Sequence, residues 1–131
     1  MFTKEMIVAA QARVKSGADY PRLVQELKEM GVESYDHVVA DGSNVYYGAG
    51  GHAVNISHSQ EQVQVAAQGF AEKLRQSISI HQHGKTDYPT FCRQAGEAGI
   101  AKWTSDLRAM TVTYSDRTGK PIVVEPIPPA K

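Results

Sequence analysis

The sequence is poor in cysteine, in net charge and in long apolar runs. Its 131 residues include one cysteine, Cys92, which excludes an internal disulfide framework and fits a reducing compartment. The 14 basic and 14 acidic residues cancel, so the chain offers no broad basic face to a nucleic acid. It has no apolar stretch long enough to cross a bilayer and no apolar signal-peptide core at its start. We therefore expect a cytoplasmic protein that binds neither nucleic acid nor membrane.

What the sequence does contain is an internal repeat. When the chain is shifted by 68 residues against itself, eight positions match identically between Phe2 and Ile56, against about three expected from average residue usage. The identical pairs are Phe2–Phe70, Asp19–Asp87, Tyr20–Tyr88, Pro21–Pro89, Glu29–Glu97, Gly31–Gly99, Tyr46–Tyr114 and Gly51–Gly119. Because these are helix starts, glycine caps and strand aromatics, the repeat predicts a shared architecture.

Each half is predicted to hold two helices followed by a meander of three strands. In the first half, periodicity predicts helices over 3–16 and from Asp19 to Gly31, and alternation then predicts strands. In the second half, the capping-box pattern of Ser59 and Gln62 predicts a helix that reaches Ile78. The residues from His81 to Thr86 read as a polar connector before the next helix.

This pattern indicates an α+β fold. We predict a single domain over 1–131, built from two similar halves, 1–57 and 58–131, that are related by a pseudo-twofold axis and contribute an antiparallel sheet. Each half alone is too small to bury a secure core. Two arrangements stay open: one continuous sheet with helices on one face, or two packed lobes.

The polar residues suggest no chemistry with specific spacing. His81 and His83 form one histidine pair, whereas specific zinc motifs need two pairs, so we predict no metal and no cofactor. Cys92 occupies an aliphatic position in its predicted helix, which favours a buried and unreactive thiol. Asp36 and His37 are neighbours on a strand and should face opposite sides, so they are not an acid–base pair.

The aromatic residues are the candidate ligand-binding residues. They are Tyr35, Tyr46, Trp103 and Tyr114. Tyr46 matches Tyr114 and Tyr35 matches Trp103 in the repeat, so all four could line a groove between the halves. The favoured alternative is that they are core residues facing the helices. We also expect Trp103 to be packed, and Tyr35 to be partly exposed at its hydroxyl.

A set of motifs in the second half is familiar as a group. It consists of Asp-Tyr-Pro-Thr-Phe-Cys at 87–92, Ala98-Gly99-Ile100 with Lys102 and Trp103, Asp106 with Met110, Thr111 and Tyr114, and Asp116 and Gly119 before the closing Glu125-Pro126-Ile127-Pro128. By these residues the chain resembles domain-of-unknown-function family 1398, uncharacterised proteins of enterobacteria and prophage regions. Some members carry the label "phage envelope protein". The resemblance implies no activity and no catalytic residue, and no membrane or lipidation signal supports an envelope role.

Three functional hypotheses follow. The first is a small non-enzymatic binding or interaction protein of prophage origin, working through the groove between its halves or as a homodimer. The second is a small-molecule-binding enzyme or sensor that uses the aromatic pocket, with a histidine as acid or base. The third is a phage-derived structural component. A closed pocket with convergent polar groups would distinguish the first two.

Overall fold

The computed structural model describes residues 1–15, 17–57 and 62–127. These residues form four α-helices and one six-stranded antiparallel sheet, so the predicted α+β class is confirmed. In chain order the elements are α1 (Lys4–Gln11), α2 (Tyr20–Glu29), β1 (Val32–Val38), β2 (Asn44–Gly48), β3 (Ala53–Ile56), α3 (Ala71–Gln82), α4 (Tyr88–Glu97), β4 (Lys102–Asp106), β5 (Thr111–Ser115) and β6 (Pro121–Pro126). Among the described residues, no helix combines the length and apolar character needed to cross a bilayer.

The six strands form one continuous sheet in the order β3-β2-β1-β4-β5-β6. The halves meet where β1 pairs with β4, with Asp36 opposite Thr104 and Tyr35 opposite Ser105. Residues 36 and 104 are separated by 68 positions, the offset of the sequence repeat. The continuous sheet excludes the alternative of two packed lobes.

One face of the sheet carries the core. Because directly paired residues share a face, the register places a set of buried side chains on the inner side: Tyr35, His37, Tyr46, Trp103, Ser105, Val112, Tyr114 and Val123. Helices α1, α2 and α3 contact strands of this sheet. The outer face is more open, and Tyr47 and Val124 expose 39% and 58% of their surfaces there.

The repeated tripeptide starts a helix in both halves, with different caps. The carboxylate of Asp87 accepts a hydrogen bond from the Thr90 amide at 2.9 Å, which satisfies one of the unpaired amides of α4. The carboxylate of Asp19 makes no such cap and accepts from the Lys15 amide at 2.9 Å. The same tripeptide therefore starts one helix with a side-chain cap and the other without one.

The first helix is shorter than predicted. We expected helix over 3–16 with Phe2, Met6 and Ala10 on one buried face, whereas α1 ends at Gln11. Phe2 and Ala10 are buried as expected, but Met6 is 42% exposed and Ile7 is fully buried. Beyond the helix the guanidinium of Arg13 donates two hydrogen bonds to the Glu26 carboxylate, at 3.0 and 3.3 Å. Contacts to α2 thus compete with continuation of α1.

The third helix begins later than predicted. Ser59 of the expected capping box lies outside the described residues, and residues 62–70 are not helical. Their backbone instead bonds to α4 and its end: the Ala66 amide donates to the Gly96 carbonyl at 2.9 Å, and the Phe70 amide donates to the Ala98 carbonyl at 2.8 Å. Because these groups find partners across the fold, the local helix signal is overridden.

Candidate ligand-binding cavity

A cavity of ≈ 520 Å³ lies between the helices and the inner face of the sheet. Its size falls within the range of about 300–1,000 Å³ that is usual for small-molecule sites. Many of its lining residues come as pairs related by the repeat offset: Val14–Gln82, Tyr20–Tyr88, Leu23–Phe91, Tyr35–Trp103, Asn44–Val112 and Tyr46–Tyr114. The cavity is therefore lined in large part by residues that match in the sequence at the offset of 68.

All four aromatic residues predicted from the sequence line this cavity. They are buried and face the helices, as the core interpretation expected, and they enclose a space, as the groove interpretation expected. The rings of Tyr35 and Tyr46 stack with centroids 5.0 Å apart, and those of Trp103 and Tyr114 are tilted at 5.7 Å. Their role in binding a ligand stays a prediction.

The expectation of a partly exposed Tyr35 hydroxyl is wrong. Tyr35 is 6% exposed, close to the 5% of Trp103, and its hydroxyl donates to the Tyr20 hydroxyl at 2.9 Å. The Tyr20 hydroxyl in turn lies 2.9 Å from the Ser105 hydroxyl. Helix α2 covers this end of Tyr35 because Tyr20 sits in its first turn.

The sequence analysis missed Tyr20 and Tyr88 as cavity residues. Both line the cavity from the first turn of a helix. Tyr88 exposes 44% of its surface, but its hydroxyl reaches inward to 3.1 Å from Nδ1 of the buried His37. One signal was available: the aspartate and the proline of the repeated tripeptide explain a helix start, whereas the tyrosine between them is not needed for it.

His37 organises the polar groups behind the cavity wall. It is fully buried, and its Nδ1 lies 2.6 Å from Oδ1 of Asn44. Its ring stacks on Trp103 with centroids 4.2 Å apart. Asp36 faces the other side of the sheet, where its carboxylate accepts from the Thr104 hydroxyl at 2.7 Å, so the two neighbours do not interact as an acid–base pair.

Tyr46 and Tyr114 hold equivalent positions and have different hydroxyl environments. The Tyr46 hydroxyl accepts a hydrogen bond from the Asn44 side-chain amide at 3.2 Å and another from the Gln11 amide. In the described part of the chain, the Tyr114 hydroxyl makes no hydrogen bond, although Tyr114 is only 7% exposed. The hydroxyl of Tyr114 is thus available to a ligand.

Burial keeps the phenols of the cavity protonated. It raises the pKa of all five lining tyrosines above the ordinary value of 10.0. Burial also raises the pKa of the Cys92 thiol to about 11, although its sulfur lies 3.8 Å from Nε2 of His37. Cys92 is buried as predicted, and its low reactivity stays a prediction.

The assignment of His81 to a polar connector is wrong. Helix α3 extends through Gln82, and His81 lines the cavity with its ring stacked on Phe91 at 4.6 Å. Burial lowers the pKa of His81 below 6.5, against the opposing effects of the Thr86 carbonyl and Asp87. Nδ1 of His81 lies 3.1 Å from that carbonyl and 3.2 Å from the Thr86 hydroxyl. Because a carbonyl oxygen only accepts, this geometry favours Nδ1 as the protonated nitrogen of the neutral ring.

His83 does not join His81 in a metal site within the described residues. It is exposed, and its Nδ1 lies 2.6 Å from the Ser79 carbonyl. Across the described ranges, no group of three or more His, Cys, Asp or Glu side chains is gathered as a metal would require. That these histidines bind no zinc stays a prediction.

A family model matches residues 8–126 of the chain, which is most of its length. The family is DUF1398, described as a protein of unknown function. The chain belongs to this family. The resemblance drawn from the motifs of the second half is therefore confirmed. Among curated proteins, no sequence matches the chain.

Membership of DUF1398 adds no catalytic or ligand-binding residue, because the description of the family assigns none. Any role for the cavity must come from its own geometry: an aromatic enclosure, neutral phenols, one half-buried histidine and the charges at its edge.

Proposed function

We propose that this protein binds a small molecule, without transforming it, in the cavity between its two halves. One observation carries the proposal: the space of ≈ 520 Å³ is walled by aromatic side chains and edged by tyrosine hydroxyls from both halves. Such walls offer apolar contact and stacking to a ligand body, and the hydroxyls offer hydrogen bonds to its polar groups. The four residues predicted from the sequence, Tyr35, Tyr46, Trp103 and Tyr114, are the proposed contacts.

The state of the ionisable groups supports binding over catalysis. Although Nε2 of His37 lies 3.8 Å from its sulfur, Cys92 does not line the cavity, and burial raises the pKa of its thiol to about 11, which disfavours the thiolate that a nucleophile needs. The phenols that line the cavity are likewise held neutral by burial.

One observation favours an enzyme as the second candidate. His81 lies on the cavity wall and, with Nδ1 protonated, its neutral ring carries a lone pair on Nε2, which suits a general base. Under this alternative, His81→Gln would abolish turnover of a bound compound while it leaves that compound's affinity nearly unchanged. Under the favoured proposal no bound compound is turned over by either protein.

We further propose that the halves are duplicated copies and that the cavity lies on their pseudo-twofold axis. Supporting this, α2 and α4 span residues that correspond at the offset of 68, and the strand order on either side of the central β1–β4 pair is the same. The test is an experimental structure in which residues 2–56 are superposed on 70–124: a rotation far from 180° would contradict the proposal.

The binding proposal is tested with the single tryptophan, Trp103, because it lines the cavity and reports directly on its contents. A screen of small aromatic compounds should yield some that raise the melting temperature and also change the emission of Trp103, because ligands that bind the native state stabilise it by mass action. Compounds that raise the melting temperature without any change in Trp103 emission would place binding elsewhere.

A variant that fills part of the cavity tests whether the ligands bind there. Leu23→Phe adds volume to the cavity wall, at the position equivalent to Phe91, and should weaken binding of each hit. Ile80→Phe makes a similar change on the outside of α3, where Ile80 is 42% exposed, and should leave binding unchanged. Equal effects of the two variants would count against the cavity.

The homodimer, the cytoplasmic location and the prophage origin stay predictions. For the homodimer, the outer face of the sheet is one candidate interface, since it exposes Tyr47 and Val124. Sedimentation equilibrium of the wild type and of Val124→Lys tests it: a monomer in both proteins would contradict the prediction.

A further inference from the structure

Glu125 introduces an uncompensated negative charge at the cavity. It lies on β6 opposite Val112 of β5, and both residues line the cavity. Glu125 is half-buried, and among the described residues it takes part in no ion pair and accepts no hydrogen bond. Partial burial of a carboxylate without a partner costs free energy, unless an opposite charge pairs with it.

The Tyr114 hydroxyl is a second unsatisfied group on the same wall. It lacks a hydrogen-bond partner in the described ranges while its residue is 7% exposed, whereas the equivalent hydroxyl of Tyr46 is held by two amides. Glu125 is close enough to raise the pKa of Tyr114, after the larger effects of burial and of Tyr35. A neutral phenol beside a carboxylate presents two groups whose oxygen atoms can accept hydrogen bonds.

Aromatic rings lie beside Tyr114 on the cavity wall. The ring of Trp103 lies 5.7 Å from that of Tyr114 and 5.5 Å from that of Phe91. The electron-rich faces of such rings attract cations, and indole does so most strongly. An anion with an apolar body is not attracted by these ring faces in the same way.

The other ionisable groups that line the cavity do not cancel its preference for a cation. Lys15 also lines the cavity, but it is exposed to solvent, where its field is screened. His81 is uncharged near neutral pH, since burial lowers its pKa below 6.5. Glu125 is therefore the half-buried charge of the cavity wall.

We propose that the ligand of this cavity is an organic cation, an amine with an apolar or aromatic body, whose ammonium group contacts the Glu125 carboxylate and the Tyr114 hydroxyl. The proposal rests on the proposed binding function and names the chemical class of its ligand. The body of the ligand lies against Trp103 and Phe91.

Three probes with one body and different head groups test the proposal: 4-phenylbutylamine, 4-phenylbutanol and 4-phenylbutyrate. Their dissociation constants are measured by calorimetry against the full chain. Because a charge-assisted hydrogen bond is stronger than a neutral one, the wild type should bind the amine about tenfold or more tightly than the alcohol, and the butyrate most weakly. Glu125→Gln should remove the preference for the amine and change alcohol binding by less than about twofold.

Two further variants make the outcome specific. Tyr114→Phe should weaken amine binding by about two- to tenfold, the effect of one hydrogen bond. Glu97→Gln removes the same charge from an exposed position that does not line the cavity, and should change nothing. Thermal melts confirm that each variant is folded.

The outcomes separate this inference from the proposed function. Alcohol binding without a gain for the amine, or a preference for the amine that survives Glu125→Gln, overturns the cation assignment and leaves small-molecule binding standing. Failure of all three probes to bind overturns the assignment too, while the compound screen with Trp103 emission still decides the proposed function.

Discussion

Tyr46 and Tyr114 stand at the same position of the second strand in each half, and both are buried against the cavity. The hydroxyl of Tyr46 is occupied by the amides of Asn44 and Gln11, whereas that of Tyr114 has no partner in the described residues. The position equivalent to Asn44 is Val112, which cannot donate a hydrogen bond. Two tyrosines that match at the offset of 68 therefore differ in their surroundings, which hold the hydroxyl of Tyr46 and leave that of Tyr114 available.

A second difference lies on the outer side of the helices. Residues 62–70 run along α4, and their backbone bonds to Gly96 and Ala98. The position equivalent to Gly96 in the first half is Lys28, which is exposed. Residues 62–70 therefore pack along α4, where small residues allow their close approach.

The largest effect is expected where that segment crosses a glycine cap. Gly31 and Gly99 both have positive φ, +105° and +81°, which costs an alanine about 1–2 kcal/mol. A Cβ on residue 99 would also lie 2.1 Å from the Gln68 carbonyl oxygen, whereas on residue 31 its nearest neighbour would be Phe2 at 3.9 Å. In urea melts, Gly99→Ala should lower the free energy of unfolding by more than about 4 kcal/mol, or prevent folding. Gly31→Ala should lower it by about 1–2 kcal/mol. Equal losses of unfolding free energy in the two variants would show that residues 62–70 do not constrain the backbone at Gly99.

The next largest effect concerns the paired aromatics Trp103 and Tyr35. Truncation to alanine should cost about 3–5 kcal/mol for Trp103, which loses its stack on His37. Tyr35→Ala should cost a similar amount, because it is equally buried and its hydroxyl bonds to Tyr20. Denaturant melts compare the two variants. An unchanged midpoint for Trp103→Ala would mean that the indole contributes only to the cavity.

A smaller effect should separate Tyr46 from Tyr114. Tyr46→Phe leaves the amides of Asn44 and Gln11 without their acceptor, which should cost about 1–3 kcal/mol of unfolding free energy. Tyr114→Phe removes a hydroxyl without a partner in the described residues and should change stability by less than about 0.5 kcal/mol. Chemical denaturation of both variants gives the difference directly, and a reversed order would contradict the roles assigned to the two hydroxyls.

The smallest expected effect is a pH dependence from His81. Its folded-state pKa is lowered by burial below the ordinary 6.5, so the unfolded chain binds the proton more readily. Its contribution to stability is therefore present above pH 6.5 and is lost as pH falls from there through the folded-state pKa, by at most about 1.4 kcal/mol per pH unit. Urea melts at several pH values should show a shallower dependence of the unfolding free energy on pH for His81→Gln than for the wild type. Identical slopes in His81→Gln and wild type would remove His81 as the cause.

Local signals predicted the frame of the fold well. Period-two alternation and the glycine-containing turns predicted all six strands, and the repeated tripeptide predicted the starts of α2 and α4. Two of the errors, a long α1 and an early α3, fall where residues near a helix end interact across the fold: Arg13 with Glu26, and residues 62–70 with α4. Sequence periodicity carries no information about such long-range contacts.

The candidate site was predicted only in part, for a related reason. Strand periodicity places Tyr35, Tyr46, Trp103 and Tyr114 on one face, but it does not say whether that face meets helices closely or encloses space. Tyr20, His81 and Glu125 reach the cavity from helices and from an edge strand, so their convergence depends on how these elements pack.

The sequence by itself determined the elements, their order and the family, because turn chemistry, periodicity and motif residues are local properties of the chain. Tertiary structure alone decided that the strands form one sheet, that a cavity lies between the helices and the sheet, and that a carboxylate and a hydroxyl on its wall lack partners among the described residues. These features depend on long-range packing and on which polar groups find one another, and no single segment carries that information.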